Sequence, residues 1–187
     1  MQDEIQKAIK VLKKGGSILY PTDTVWGIGC DATNSKAVSK IFKIKGRSEK
    51  KSMIILLDHA DKIKDYVKDY PQQVSDLIHS YHKPLTIVFP GAKNLAKKLI
   101  AEDGSIAIRI IRHEYCNQLI KEFGKPLVST SANISGDDTP LLFRNISEFV
   151  KEKVNYIVDY EQNKLHPSSP STLIRIDDTG SYEVLRP

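Results

Sequence analysis

The spacing of hydrophobic positions along the chain predicts helices and strands that follow one another in turn. Residues 3–14 carry apolar side chains at helical intervals, a glycine pair ends this helix, and the strand-like segment 17–22 follows at once. A second amphipathic helix begins near Asn34, a residue type that caps helix N-termini, and ends around Gly46. Helices and strands therefore share the chain, as in an α/β protein.

Later apolar runs add further strands and helices. We predict strands at 53–57, 85–89, 105–111, 126–130, 155–160, 171–176 and 182–186. We predict helices near 70–82, 113–123 and 142–152. Because the last strands follow one another without a helix between them, we expect a mixed sheet rather than a regularly parallel one.

Composition fits one soluble domain, or at most two small ones, in the 187 residues, of which 40% are hydrophobic. We expect a cytoplasmic protein with a single domain over 1–187, because no apolar run approaches bilayer length and the charged start does not resemble a signal peptide. Cys30 and Cys116 lack the spacing of a zinc site or a disulfide framework, so we expect two buried thiols and no metal ligands.

The chain is moderately basic, with 28 Lys and Arg against 23 Asp and Glu and a pI near 9.0. An excess of this sign suits partners that carry phosphate, which include both nucleotides and RNA. A solvated surface would account for much of the same excess, so charge alone leaves nucleic-acid binding open.

The first polar segment with candidate chemistry is 21–32, which separates the first strand from the second helix. It holds two threonines, two glycines and the only tryptophan of the chain. Glycine lets the backbone approach a ligand closely, although a threonine-rich turn would use the same residues.

The second segment, 43–51, has Lys or Arg at five of nine positions beside the end of the second helix. Cations there also complement the negative end of the helix dipole. Alternatively, Lys45 and Arg47 on either side of a glycine would clamp a triphosphate. The sequence has no Walker A and no Rossmann glycine motif, so neither motif supplies nucleotide binding.

The third segment is the predicted strand 105–109, in which alternation places Ser105, Ala107 and Arg109 on one face. Arg109 would need an anion if that face lined a cavity, and it would need none on a solvated face. The fourth segment, 129–136, is dense in hydroxyls at the end of an apolar strand, where ligand sites of α/β sheets commonly form. A hydrogen-bonded turn is the alternative for this segment.

The sequence contains no persuasive nucleophile, because it has no G-x-S-x-G elbow and its five histidines are scattered. These histidines are His59, His79, His82, His113 and His166. Lys, Arg, Thr, Ser and Asn instead suit a reaction that proceeds by positioning and charge neutralisation, such as adenylyl transfer.

The four segments, in this order and spacing, resemble the YrdC-like family of threonylcarbamoyl-AMP synthases. The family pattern P-T-[ED]-T-x-[YW]-G-[LI]-G matches 21–29, K-x-R matches 45–47, [ST]-x-A-x-R matches 105–109, and S-x-N matches 131–133. The match runs from residue 15 to residue 187 and is similar to the short form, without the additional C-terminal domain of longer members.

The resemblance implies a twisted mixed sheet flanked by helices, with a positively charged concave cavity. It implies that Thr24 and Arg109 hold threonine, with Arg109 on its carboxylate, and that Ser131 and Ser171 line the same pocket. It further implies a nucleotide site made by Lys45, Arg47, Lys51, Ser105, Asn133 and Arg186. Lys45 and Arg47 would act on the ATP phosphates as the catalytic pair. Two-domain members usually have Asn at position 51 and often His at position 56, where this chain has Lys51 and Leu56.

The implied reaction joins L-threonine, bicarbonate and ATP into threonylcarbamoyl-AMP, with release of pyrophosphate and with magnesium accompanying ATP. The product would pass to a separate transferase complex that modifies tRNA. The chain itself could also bind tRNA or double-stranded RNA. Three rival interpretations remain: an RNA-binding module, a carbamoyl-transferring relative from hydrogenase maturation, and a diverged paralogue without synthase activity.

Overall fold

The computed structural model describes residues 1–46, 48, 53–165, 170–177 and 179–187. Its α-helices are α1 (Gln2–Lys13), α2 (Ser35–Lys45), α3 (Gln73–Ser80), α4 (Glu114–Phe123) and α5 (Glu148–Lys153). Short 3-10 helices lie at Ala60–Asp65, Lys97–Leu99 and Phe143–Asn145. Strands are β1 (Ile18–Tyr20), β2 (Gly27–Gly29), β3 (Ile54–Leu57), β4 (Leu85–Phe89), β5 (Ile106–Ile110), β6 (Leu127–Ser131), β7 (Tyr156–Ile157), β8 (Thr172–Ile176) and β9 (Tyr182–Arg186).

These strands form one sheet in the order β7-β1-β2-β6-β3-β5-β4-β8-β9. The pairs β1–β7, β3–β5 and β4–β8 are parallel, and the other neighbouring pairs are antiparallel. The predicted mixed α/β sheet is therefore confirmed. No helix in the described part of the chain is long and apolar enough to cross a bilayer.

The two faces of the sheet are covered differently. One face packs against α2, α3, α5 and the 3-10 helix at 60–65, and it holds the larger hydrophobic core. The other face carries α1 and α4, which bury a smaller core over β1, β3 and β6. Side chains of β4, β5 and β8 that point to this second face line an open pocket instead.

Three stretches of the chain differ from the sequence-based expectations. Residues 27–29, treated above as part of a polar segment, form β2, where a side chain on Gly29 would approach the Val128 carbonyl oxygen to 2.5 Å. Glycine has a low strand propensity, which is why the apolar pattern did not reveal this strand. The expected helix at 142–152 is divided, because Ser147 caps a new helix, α5, after the 3-10 turn. The expected strand at 155–160 pairs only over β7.

Candidate active site

A pocket of about 540 Å³ opens on the second face of the sheet, over β4, β5 and β8. Its walls also include the turn after β1 and the end of β6. Six residues predicted from the sequence line it: Thr24, Ser105, Arg109, Ser131, Ser171 and Arg186. The fold thus gathers three of the four sequence segments around one cavity.

The turn after β1 is held by the hydroxyl of Thr22. This oxygen accepts hydrogen bonds from the backbone N–H groups of Thr24 and Val25, and it donates its proton to the Val25 carbonyl at 2.6 Å. The Thr24 hydroxyl oxygen lies 3.1 Å from the Thr22 hydroxyl oxygen. The Thr24 hydroxyl oxygen also accepts a hydrogen bond from a second neighbour.

That other neighbour is Arg109, which lies on β5 and is only 4% exposed. Its Nη1 donates to Thr24 Oγ1 at 3.3 Å, and its Nη2 lies 3.2 Å from Asp23 Oδ1. Among the described residues, Arg109 Nε has no hydrogen-bond partner. Because a guanidinium offers five donors in a fixed fork, this buried cation is suited to a further planar acceptor such as a carboxylate.

A second cation enters the pocket from the sheet edge. Arg186 on β9 donates from Nε and Nη2 to the Ser171 carbonyl, at 3.1 and 2.8 Å. The Ser171 hydroxyl also pairs with the buried Thr86 hydroxyl at 2.7 Å. Although Arg186 is an exposed residue, partial desolvation of its guanidinium group, followed by the nearby charge of Arg109, lowers its pKa. An anion bound between the two guanidinium groups would relieve this repulsion.

Lys45 lies at the end of α2 and is 1% exposed. Its Nζ donates to the Ser131 carbonyl at 2.7 Å, to Asn133 Oδ1 at 3.0 Å, and to the Asn133 carbonyl. The lysine and Asn133 are not among the described residues that line the pocket, so the ammonium group sits behind the wall and supports it. Contact between Lys45 and ATP phosphates stays a prediction.

The S-x-N segment is both a turn and part of the pocket wall. Ser131 lines the cavity and donates to Asn133 Oδ1 at 2.5 Å. The side-chain nitrogen Nδ2 of Asn133 donates to the backbone carbonyls of Asp137 and Ile134. The two alternatives raised by the sequence therefore coexist, since hydrogen bonds of the turn orient the residue that faces the cavity.

Ser105 enters the pocket from the start of β5 and donates to Asp103 Oδ1 at 2.6 Å. Arg175 on β8 pairs with the same carboxylate at 2.7 Å. The hydrogen bonds from Arg175 and Ser105 lower the pKa of Asp103 to about 2. Arg175 lines the pocket, although no role for it was predicted from the sequence. The available signal was strand alternation, which places Arg175 on the same face of β8 as Leu173.

Other candidate residues lie elsewhere. Arg47 and Lys51 fall outside the described residues. Leu56 is fully buried beside Arg109 in the β3–β5 register. Trp26 belongs to the larger core and packs on Phe143, with ring centroids 4.9 Å apart. Both cysteines are free and buried, as expected, and the described residues hold no cluster of three His, Cys, Asp or Glu that could bind a metal.

Comparison with known proteins agrees with this architecture. A sequence model of the Sua5/YciO/YrdC family, described as telomere recombination, matches residues 10–187. A threonylcarbamoyl-AMP synthase of Pseudoalteromonas translucida is 39% identical over 161 residues, which cover 84% of this chain and 86% of that protein. One from Hahella chejuensis is 33% identical over 178 residues and covers 95% of both chains.

A solved structure of P. abyssi Sua5 complexed with L-threonine superimposes with a TM-score of 0.83 at 27% identity. The match covers 92% of this chain and 50% of that one, so this chain spans about half the length of the P. abyssi protein. The family match over most of the chain, the identity to the curated relatives and the common fold lead to one conclusion: the chain belongs to the Sua5/YciO/YrdC family.

Proposed function

We propose that this chain is an L-threonylcarbamoyladenylate synthase, which converts L-threonine, bicarbonate and ATP into threonylcarbamoyl-AMP, pyrophosphate and water. The relatives named as threonylcarbamoyl-AMP synthases support this assignment. The structural observation that carries it is one pocket with two arginines, Arg109 and Arg186, whose separate surroundings suit an amino acid and a phosphate-bearing partner. A volume of about 540 Å³ is in the range that encloses a small-molecule ligand.

The Arg109 end of the pocket suits threonine. The guanidinium is held by Thr24 and Asp23, so its free donors are oriented before a ligand arrives. A carboxylate would accept two parallel hydrogen bonds from such a fork. The binding of L-threonine by P. abyssi Sua5 is consistent with this placement.

The Arg186 end suits the nucleotide. Arg186 offers guanidinium donors to phosphate oxygens, while Ser105 and Ser131, whose protons go to Asp103 and Asn133, present hydroxyl oxygens that can accept from the ribose hydroxyl groups. Lys45 contributes by holding the 131–133 turn. Contacts of Arg47 and Lys51 with the ATP phosphates are part of the proposal, and both residues lie outside the described part of the chain. Magnesium would reach the site with ATP, as part of that substrate.

The proposed chemistry relies on position and charge. The threonine amine captures carbon dioxide, or bicarbonate with loss of water, as a carbamate. A carbamate oxygen then attacks the α-phosphorus of ATP while the bond to the pyrophosphate oxygen breaks. Arg109 would fix the amino acid at one side, and the cations of the nucleotide end would neutralise charge on the departing pyrophosphate. The pocket walls would limit access of water to the product anhydride.

The product serves the modification of tRNA, so we propose a downstream threonylcarbamoyl transferase complex as the partner and the cytoplasm as the location. Direct binding of tRNA or double-stranded RNA remains a second proposal, based on the net charge of +5. The positively charged character of the cavity is proposed on the same basis.

Titration calorimetry with L-threonine tests the assignment of the pocket without depending on turnover. We expect L-threonine to bind, and D-threonine and L-valine to bind at least about tenfold more weakly, because each lacks one correctly placed polar contact. The proposed function would be contradicted if all three amino acids bound equally well, or if none of them bound.

Replacing Arg186 should mainly affect ATP. We expect Arg186→Gln to raise the KM for ATP by about tenfold, since a charge-assisted contact to phosphate is lost. Arg112→Gln is the matched control, because Arg112 donates to the Ile78 carbonyl and does not line this pocket. Steady-state kinetics with ATP as the varied substrate would check this, and equal effects of both changes would argue against a special role for Arg186.

A further inference from the structure

The two ends of the pocket differ in how their arginine charge is compensated. Arg109 Nη2 lies 3.2 Å from the carboxylate of Asp23. Arg186 donates to uncharged oxygens of Ser171, and no carboxylate of the described residues pairs with it. The Arg109 end is thus close to neutral, whereas the Arg186 end retains a net positive charge.

Asp23 is held firmly in its place behind Arg109. The Thr22 hydroxyl fixes the backbone on one side of it, and Cys116 Sγ donates to the Pro21 carbonyl at 2.9 Å on the other. The side chain is 13% exposed, and both carboxylate oxygens lack a hydrogen-bond partner among the described residues. Its negative charge is therefore directed mainly at Arg109 and at whatever binds there.

This arrangement affects which ligands the Arg109 end accepts. An unpaired buried guanidinium would attract any anion, including inorganic phosphate, pyrophosphate and the phosphates of ATP. A carboxylate fixed behind it weakens that attraction and favours a ligand that brings its own positive charge. An amino acid carries both a carboxylate and an ammonium group and is neutral overall. Charges a few ångströms apart in a partly buried site change a binding constant by about tenfold or more.

We infer that Asp23 is a specificity-determining residue, which restricts the Arg109 end of the pocket to a net-neutral amino acid and excludes phosphates and carboxylates that lack an amine. The inference rests on the proposed function, because that function makes threonine the amino acid. It assigns to Asp23 a role in sorting two substrates between two ends of one cavity. Asp23 acts through Arg109 and through its field, since it is not among the described residues of the pocket wall.

The test compares ligands that differ only in the amine. L-threonine and 3-hydroxybutyrate share a carboxylate and a hydroxyl group, so the ratio of their affinities measures selection for the ammonium group. Calorimetry without ATP gives this ratio for the wild type and for Asp23→Asn. We expect the change to lower the preference for threonine by about tenfold and to make pyrophosphate compete with threonine. Asp23→Glu keeps the charge and should stay within about threefold of the wild-type ratio.

Asp31→Asn is the matched control, because Asp31 is also a buried carboxylate, but the cation it pairs with at 2.8 Å, Lys125, does not line the pocket. It should leave the ratio unchanged. If the wild type binds threonine but the ratio of threonine to 3-hydroxybutyrate affinity is unchanged in Asp23→Asn, the inference about Asp23 is wrong and the proposed function stands. Absence of threonine binding in the wild type would overturn the proposed function as well. If Asp23→Asn and Asp23→Ser both fail to fold while Asp31→Asn folds, Asp23 is a structural residue and the inference is wrong.

Discussion

Arg109→Ala is expected to lower kcat/KM for threonine by roughly 100-fold or more, with a smaller effect on the KM for ATP. The change removes charge-assisted hydrogen bonds to the substrate carboxylate, each worth about 1.5–3 kcal/mol. It also leaves Asp23 as a buried carboxylate without its cation, which costs about 3–5 kcal/mol of folding stability. Kinetics with threonine as the varied substrate, together with thermal unfolding, would separate these two effects.

Two further variants make the Arg109 prediction decisive. Arg109→Lys keeps the charge and loses the fork, so it should fold and still lose about tenfold or more in kcat/KM for threonine. Arg112→Ala is the control, because Arg112 follows the same strand but donates to the Ile78 carbonyl. Full use of threonine by a folded Arg109→Lys variant would contradict the assignment.

Lys45→Met is expected to destabilise the protein by about 3 kcal/mol and to abolish most synthase activity. Methionine has a similar length but cannot donate, so the carbonyls of Ser131 and Asn133 and the Asn133 side-chain oxygen would lose a buried donor. Each unsatisfied buried group costs about 1–3 kcal/mol, although the turn can relax towards water. Denaturant unfolding would measure the loss of stability.

The Lys45 prediction has a control on the same helix. Lys43→Met changes an exposed lysine two positions earlier and should alter stability by less than about 0.5 kcal/mol. If Lys45→Met were as stable as the wild type but used ATP poorly, the lysine would act on phosphates directly and its support of the turn would be dispensable.

The position of Arg109 could be predicted from the sequence because it depends on a local rule. Alternation along 105–109 is a property of any strand, and the structure places Ala107 and Arg109 in the pocket while Ile108 lies in the larger core. Apolar runs predicted most strands, and the absence of a helix between the last strands predicted the mixed character of the sheet.

The supporting contacts could not be predicted, because they join residues distant in the chain. Thr24 and Arg109 are 85 positions apart, and Lys45 and Ser131 are 86 apart. Lys45 stands in a strongly basic segment that resembles a solvated or phosphate-binding surface, whereas its burial follows from how α2 meets the end of β6. Strand β2 was not predicted for a different reason. Its glycines fit the strand because a side chain there would come too close to a neighbouring residue, and glycine has a low strand propensity.

Pyrophosphate release with single substrates omitted tests the proposed synthase activity most directly. Purified protein would be incubated with ATP, magnesium, bicarbonate and L-threonine, and rapid chromatography would look for threonylcarbamoyl-AMP. We predict release only when threonine and bicarbonate are both present, with the adenylate formed in equal amount. Release without threonine, or ATP binding with no release in the complete mixture, would contradict the synthase assignment.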